Sequence, residues 1–142
     1  MRFLGIDYGR RRIGLALSDE EGVLASPLPP HVRTRSEADV LNDLASLMKR
    51  HGVGTVIVGW PLNMDGSRGK MAREAEAFAH RLQKRTSTPA ELFDERLTTR
   101  EAERALLEAD LSRRKRKLLR DSLSAVLILQ GYLDRRDASD LE

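Results

Sequence analysis

Three acids stand out for the chemistry they could do together: Asp7 in FLGIDYGRRRIG, Glu95 in LFDERLTT and Asp121 in LLRDSLSAVL. Asp7 closes a short apolar run, and Asp94 and Glu95 end another. Asp121 falls in an apolar helical stripe with Leu118, Ala125, Ile128 and Tyr132, beside the small Ser124. A carboxylate on such a stripe needs a partner or must be neutral. No basic residue is placed to serve all three. Hard divalent cations suit clustered carboxylates, and Mg²⁺ binds through few of them plus the phosphate oxygens of a substrate. Two such ions about 4 Å apart clamp the attacking and leaving oxygens of a phosphodiester. Hydrolysis of that kind needs no histidine or cysteine nucleophile. His31, His51 and His80 lack metal-like spacing and are expected at the surface.

Each acid also has a plainer explanation when taken alone. Asp7 before Tyr8-Gly9 suits the start of a turn. Glu95 beside Arg96 suits a surface ion pair of little energetic consequence. Asp121 suits the opening of a helix, where an acid favours the dipole, with Arg120 or Arg114 as its partner. Only their predicted meeting at one sheet edge favours metal binding over these readings.

The basic residues point the same way. The chain holds 20 Arg against 5 Lys, and arginine makes forked contacts with phosphate. Free supply of arginine by a GC-rich genome explains that bias equally well. Three arginines, Arg10, Arg11 and Arg12, fill the turn after Asp7, where they are expected to meet phosphates. Arg113, Arg114, Lys115, Arg116 and Lys117 precede Asp121 and are expected to guide a phosphate backbone, although charge runs are commonly solvated helix faces. Arg96, Thr98 and Thr99 are further expected contacts, the threonines from a helix N-terminus. Aromatics make up only 4% of the chain, which argues against a base-stacking platform for single strands.

Local patterns place these residues on elements. Residues 2–7 and 13–18 read as strands, and 23–33 as an edge strand, because Pro27, Pro29 and Pro30 cannot donate to a ladder. A helix starts at Ser36, capped with Asp39, and ends at Gly52. Residues 55–60 form a continuously apolar buried strand, 61–70 a loop, 71–85 a second helix and 89–95 a fifth strand. Thr98 and Glu101 read as a capping box for a third helix reaching Ala109. The basic stretch 111–120 leads into a final helix over 121–136. The order β-β-β-α-β-α-β-α-α predicts a mixed five-stranded sheet, three antiparallel strands then parallel ones, with helices on both faces. In such a sheet ligands gather at the carboxyl ends of the parallel strands.

A length of 142 residues suits one domain, expected over 1–136 with a flexible tail at 137–142. The mean hydropathy of −0.46 is that of a folded, water-facing chain. The apolar runs are strand-sized, so no membrane span or membrane partner is expected. Absence of cysteine excludes disulfides and thiolate metal sites. The first residues lack a secretory leader pattern, and together these features favour the cytoplasm.

GIDYGRRRIGLALSD, VGWPLNMDG, DERLTT and DSLSAVLILQGYL together resemble the four motifs of the YqgF family, also called RuvX, from residue 5 to residue 133. The resemblance implies a ribonuclease H-like fold related to the RuvC Holliday junction resolvases. It implies a nuclease that matures the 5′ end of pre-16S ribosomal RNA, with nucleic acid as its partner and ribosomal particles as a further one. It also implies that Asp7, Glu95 and Asp121 bind Mg²⁺ or Mn²⁺, two ions being expected, and that Asn63, Asp65 and Gly66 belong to a lid over the site. Two departures accompany it. Ser124 stands where the last motif usually begins its pair of alanines, and the same position lacks the fourth acid of the resolvases. Rival functions are a Holliday junction resolvase or other DNA nuclease, a phosphotransferase of the actin or hexokinase kind, and a non-catalytic binding module. A chain of this length has room for only one of the two lobes that the phosphotransferases close.

Overall fold

The structure, a computed structural model, describes residues 1–33 and 36–140. Five strands, β1 (Arg2–Tyr8), β2 (Arg12–Ser18), β3 (Ala25–Val32), β4 (Val53–Trp60) and β5 (Ala90–Asp94), form one sheet in the order β3-β2-β1-β4-β5. The β3-β2-β1 half is antiparallel, and β1, β4 and β5 are parallel. This is the mixed α/β sheet that the element order predicts. The prolines of β3 lie on the outer edge, where they leave few donors for a further strand.

Alternation along β1 sorts its residues between two cores. Leu4 and Ile6 pack with Val40, Leu44 and Met48 of α1 (Glu37–His51) and with Phe78 and Leu82 of α2 (Lys70–Thr86). Phe3 packs on the opposite face with Ala125, Ile128 and Leu129 of α5 (Leu123–Asp140) and Leu119 of α4 (Arg113–Asp121). Gly5 and Asp7 share that second face by the period of two. Small residues there let α5 come close: a Cβ on Gly5 would lie 2.7 Å from Leu129 Cβ and 3.0 Å from the Ala125 carbonyl oxygen.

Local chemistry sets the helix ends. Ser36 accepts the Asp39 N–H at 3.3 Å, and Gly52 closes α1 in the left-handed region at φ 66°. The capping box expected from Thr98 is displaced by one residue: Thr99 is the N-cap of α3 (Arg100–Leu107), accepting the Ala102 N–H at 3.0 Å. Thr98 instead closes a 3₁₀ turn, Glu95–Leu97, inserted directly after β5.

A larger correction concerns Asp121, which ends α4 instead of lying within the final helix. Ser122 leaves helical geometry (φ −127°, ψ 24°) and donates its buried hydroxyl to the Leu28 carbonyl of β3 at 2.6 Å. The stripe joining Asp121 to Ile128 and Tyr132 is therefore interrupted. The basic stretch forms its own helix, and the last helix continues to Asp140, beyond the boundary expected at 136. Residues 141–142 of the expected tail lie outside the described residues. Among the described residues no helix is long and apolar enough to cross a membrane.

Candidate active site

Because β1, β4 and β5 run parallel, their carboxyl ends reach the same edge of the sheet, and Asp7 and Glu95 arrive there with them. Asp7 is half-buried on the α5 face, opposite Gly14 of β2. Burial pushes its carboxyl above the ordinary range. Glu95 is held by the 3₁₀ turn. Asp94 accepts the Arg96 N–H at 2.9 Å, and Thr98 donates both its N–H, at 3.2 Å, and its hydroxyl, at 2.8 Å, to the Glu95 carbonyl. The Glu95 carboxylate lies over Gly59 of β4, where a Cβ would stand 3.0 Å from Oε2. Glycine at 59 thus keeps the space the acid uses.

Burial, then the charge of Asp7, then that of Asp94, push Glu95 up to about 7. Asp94 itself is held below the usual range, chiefly by its hydrogen bonds with Arg96. The ion pair anticipated between Glu95 and Arg96 is therefore made by Asp94, at 2.8 Å. Among the described residues neither Asp7 nor Glu95 has a cationic partner.

Asp121 approaches from the other side. With Asp7, Arg12, Arg120 and Ser124 it lines a cavity of about 250 Å³. Its carboxylate is 30% exposed and meets Lys117, one turn earlier, at 3.5 Å. That i, i+4 spacing was legible in the sequence; the partner expected was Arg114 or Arg120. Asp7 is thus the common member, an electrostatic neighbour of Glu95 and a cavity neighbour of Asp121. Among the described residues no group of three carboxylates or histidines closes into a cation-holding cluster. Two half-buried acids, Asp7 and Glu95, lack counter-charge, and the third, Asp121, shares a cavity with Asp7.

The basic residues divide. Arg12 reaches the cavity. Arg10 and Arg11 are exposed in the turn, which Arg33 ties down through its N–H to the Arg11 carbonyl at 2.9 Å and its guanidinium to the Gly9 carbonyl at 2.9 Å. Arg113, Arg114 and Arg116 are exposed on α4. Arg96 is a strut: besides gripping Asp94, it donates to the Met64 carbonyl at 3.3 Å. That bond brings the loop of Asn63, Asp65 and Gly66 beside the Glu95 turn. The loop is internally braced, with Asp65 accepting the Ser67 N–H at 2.9 Å and Asn63 donating to Ser67 Oγ at 2.9 Å. Thr99 is occupied as a cap, and Thr98 in holding Glu95. His31 is not a free surface residue, since Nε2 meets Asp43 at 3.0 Å. Arg120, read from the sequence only as a partner for Asp121, lines the cavity itself.

A family model described as "RuvX: Holliday junction resolvase" matches residues 1–135. A protein of Moorella thermoacetica is 50% identical over 135 residues, covering 95% of this chain and 96% of its own. One from Halothermothrix orenii is 48% identical, covering 94% and 95%. One from an Anaeromyxobacter species is 50% identical, covering 97% and 100%. Each carries the name "Putative pre-16S rRNA nuclease". Among solved structures, T. thermophilus RuvC in complex with a Holliday junction substrate superposes with a TM-score of 0.60 at 16% identity, covering 96% of both chains. That likeness is one of fold.

Proposed function

Since the chain belongs to the RuvX family, a family of nucleases, we propose that it hydrolyses phosphodiester bonds in precursor 16S ribosomal RNA, in maturation of the 5′ end, with divalent cations at the acidic edge of the sheet. The observation that carries the metal dependence is the pairing of Asp7 with Glu95. Two carboxyl groups are held half-buried with no cationic side chain beside them among the described residues, and burial together with the charge of Asp7 and Asp94 pushes Glu95 up to about 7. Asp7, Glu95 and Asp121 would hold Mg²⁺ or Mn²⁺. Ions held there would supply positive charge to the phosphodiester being hydrolysed.

The chain's own residues do the rest. The rigid central strand β1 fixes Asp7, and the 3₁₀ turn with Thr98 fixes Glu95. Arg12 brings a fixed positive charge to the same edge. The exposed cations of α4 draw in the phosphate backbone without reading bases. The Arg96-braced loop stands beside Glu95 as a lid over the substrate. Work on a ribosomal precursor places the protein in the cytoplasm, on assembling particles. The precursor substrate is supported by the printed name of relatives near 50% identity.

The test incubates purified protein, with Mg²⁺, Mn²⁺ or chelator, on labelled precursor rRNA, single strands, duplexes and four-way junctions. Metal-dependent cutting of the precursor is expected. Cutting confined to four-way junctions would transfer the assignment to the resolvase activity named in the family description. Cutting that persists in chelator would overturn the metal dependence.

A further inference from the structure

The cavity between the start of β2 and the end of α4 has a composition that the acids alone do not explain. Arg12, at the start of β2, and Arg120, near the end of α4, both line it. Two carboxylates, Asp7 and Asp121, line the same space. Even so, neither guanidinium makes an ion pair or side-chain hydrogen bond among the described residues, and Asp121 takes Lys117 instead. An arginine fork left unpaired beside available carboxylates retains its donors for another acceptor.

The floor is made of small residues. Gly14 lines the cavity with Ala125, and a Cβ on Gly14 would stand 3.3 Å from Asp7 Cβ and 3.5 Å from Ala125 Cβ. The absent side chain keeps the space beside Asp7 open. About 250 Å³ is below the ~300–1,000 Å³ of pockets that enclose a drug-sized ligand. It accommodates a phosphate group and a few waters. The arginines bring two positive charges against the two acids, so the cavity accepts an anion best when cations also lie on those acids.

We propose that this cavity is a base-independent phosphate subsite, in which Arg12 from β2 and Arg120 from α4 clamp one backbone phosphate of the substrate beside Asp7. The inference rests on the nuclease reading for the identity of its ligand, and it adds Arg120 and the division of labour among the basic residues. Arg12 and Arg120 hold one phosphate at the acids, while Arg113, Arg114 and Arg116 meet the backbone farther out. Recognition at this point carries no base preference, because the guanidinium forks meet the phosphate that every nucleotide shares.

Inorganic phosphate tests the subsite without any cleavage. Its affinity is read from the shift in melting temperature in Mg²⁺ buffer at constant ionic strength. Arg12→Ala and Arg120→Ala should each weaken phosphate binding by about tenfold, as expected for loss of a charge-assisted contact. Arg120→Lys should fall between wild type and Arg120→Ala, since it keeps the charge and loses the fork. Arg73→Ala, on α2 across the sheet, should behave as wild type. The Arg120 side chain makes no hydrogen bond or ion pair among the described residues, so its alanine variant should melt normally without phosphate. On oligonucleotides the same two substitutions should raise KM more than they lower kcat, equally for every sequence. Phosphate affinity that is absent in wild type, or that ignores either substitution, overturns the clamp even if the protein proves to be a nuclease. A protein that cuts nothing yet loses phosphate affinity in both variants leaves the clamp standing and overturns the nuclease reading.

Discussion

The charge of Asp7 is one of the forces that lift the Glu95 carboxyl to about 7, second only to burial. The two acids come from β1 and from the turn after β5, with β4 between them in the sheet. Gly59 on that middle strand lets the Glu95 side chain lie over it. Two like charges brought together without a partner destabilise the folded chain, and a cation held there, as the proposed function requires, would relieve that cost.

Asp7→Asn, Glu95→Gln and Asp121→Asn should each lower cleavage by at least about 100-fold, the cost of removing a group that stabilises transition-state charge. Circular dichroism should show the fold unchanged. Asp7→Asn should be the most severe, because Asp7 neighbours both other acids. Rates within a few-fold of wild type for all three would remove these residues from the site.

Glu95 makes stability depend on pH in a definite direction. Its folded value of about 7 lies above the ordinary 4.5, so the folded protein keeps a proton that the unfolded chain releases. In chelator, stability should therefore fall as pH rises from about 4.5 to about 7, and level off above. Glu95→Gln should flatten this slope and melt a few degrees higher at pH 8. A Glu95→Gln melting profile parallel to wild type across that range would contradict the shift.

Mg²⁺ or Mn²⁺ should raise the melting temperature of wild type, by about 2.7 kcal/mol of linkage when free ion reaches about 100 times its dissociation constant. The increment should grow as pH rises through 7, because a carboxyl must lose its proton to hold a cation. Asp121→Asn should lose most of the increment. An aspartate serving only as the partner of Lys117 would instead lower the melting point equally with and without metal.

Neutralising Arg113, Arg114 and Arg116 together should weaken binding of all nucleic acid sequences. The log–log salt slope should become shallower by about one unit per lost phosphate contact. Turnover at saturating substrate should change little. An unaltered slope, from anisotropy titrations at several salt concentrations, would make this run a solvated face.

Ser122→Ala should cost about 1–2 kcal/mol, because it leaves the Leu28 carbonyl without its donor. It should also reduce activity, since the hydroxyl anchors the junction that ends α4 at Asp121. Denaturant melts separate this from Ser124→Ala, whose exposed side chain should leave stability within about 0.5 kcal/mol of wild type.

What the sequence determined by itself was local in origin. Leu4 and Ile6 alternate with Phe3 and Gly5, Ser36 and Gly52 bracket α1, and Pro27, Pro29 and Pro30 mark an edge strand. Each follows from a period of two, a cap or a missing donor, and needs no distant partner. The order of elements then brings Asp7 and Glu95 to the same sheet edge. Tertiary structure decided what depends on residues far apart in the chain. The break that gives Asp121 its own helix is made by a hydrogen bond from Ser122 to Leu28. Arg96 turns to Asp94 and Met64, not to Glu95, and Arg120 lines the same cavity as Arg12 and Gly14. Adjacent charges in a sequence have several partners within reach, and only packing against the sheet selects among them.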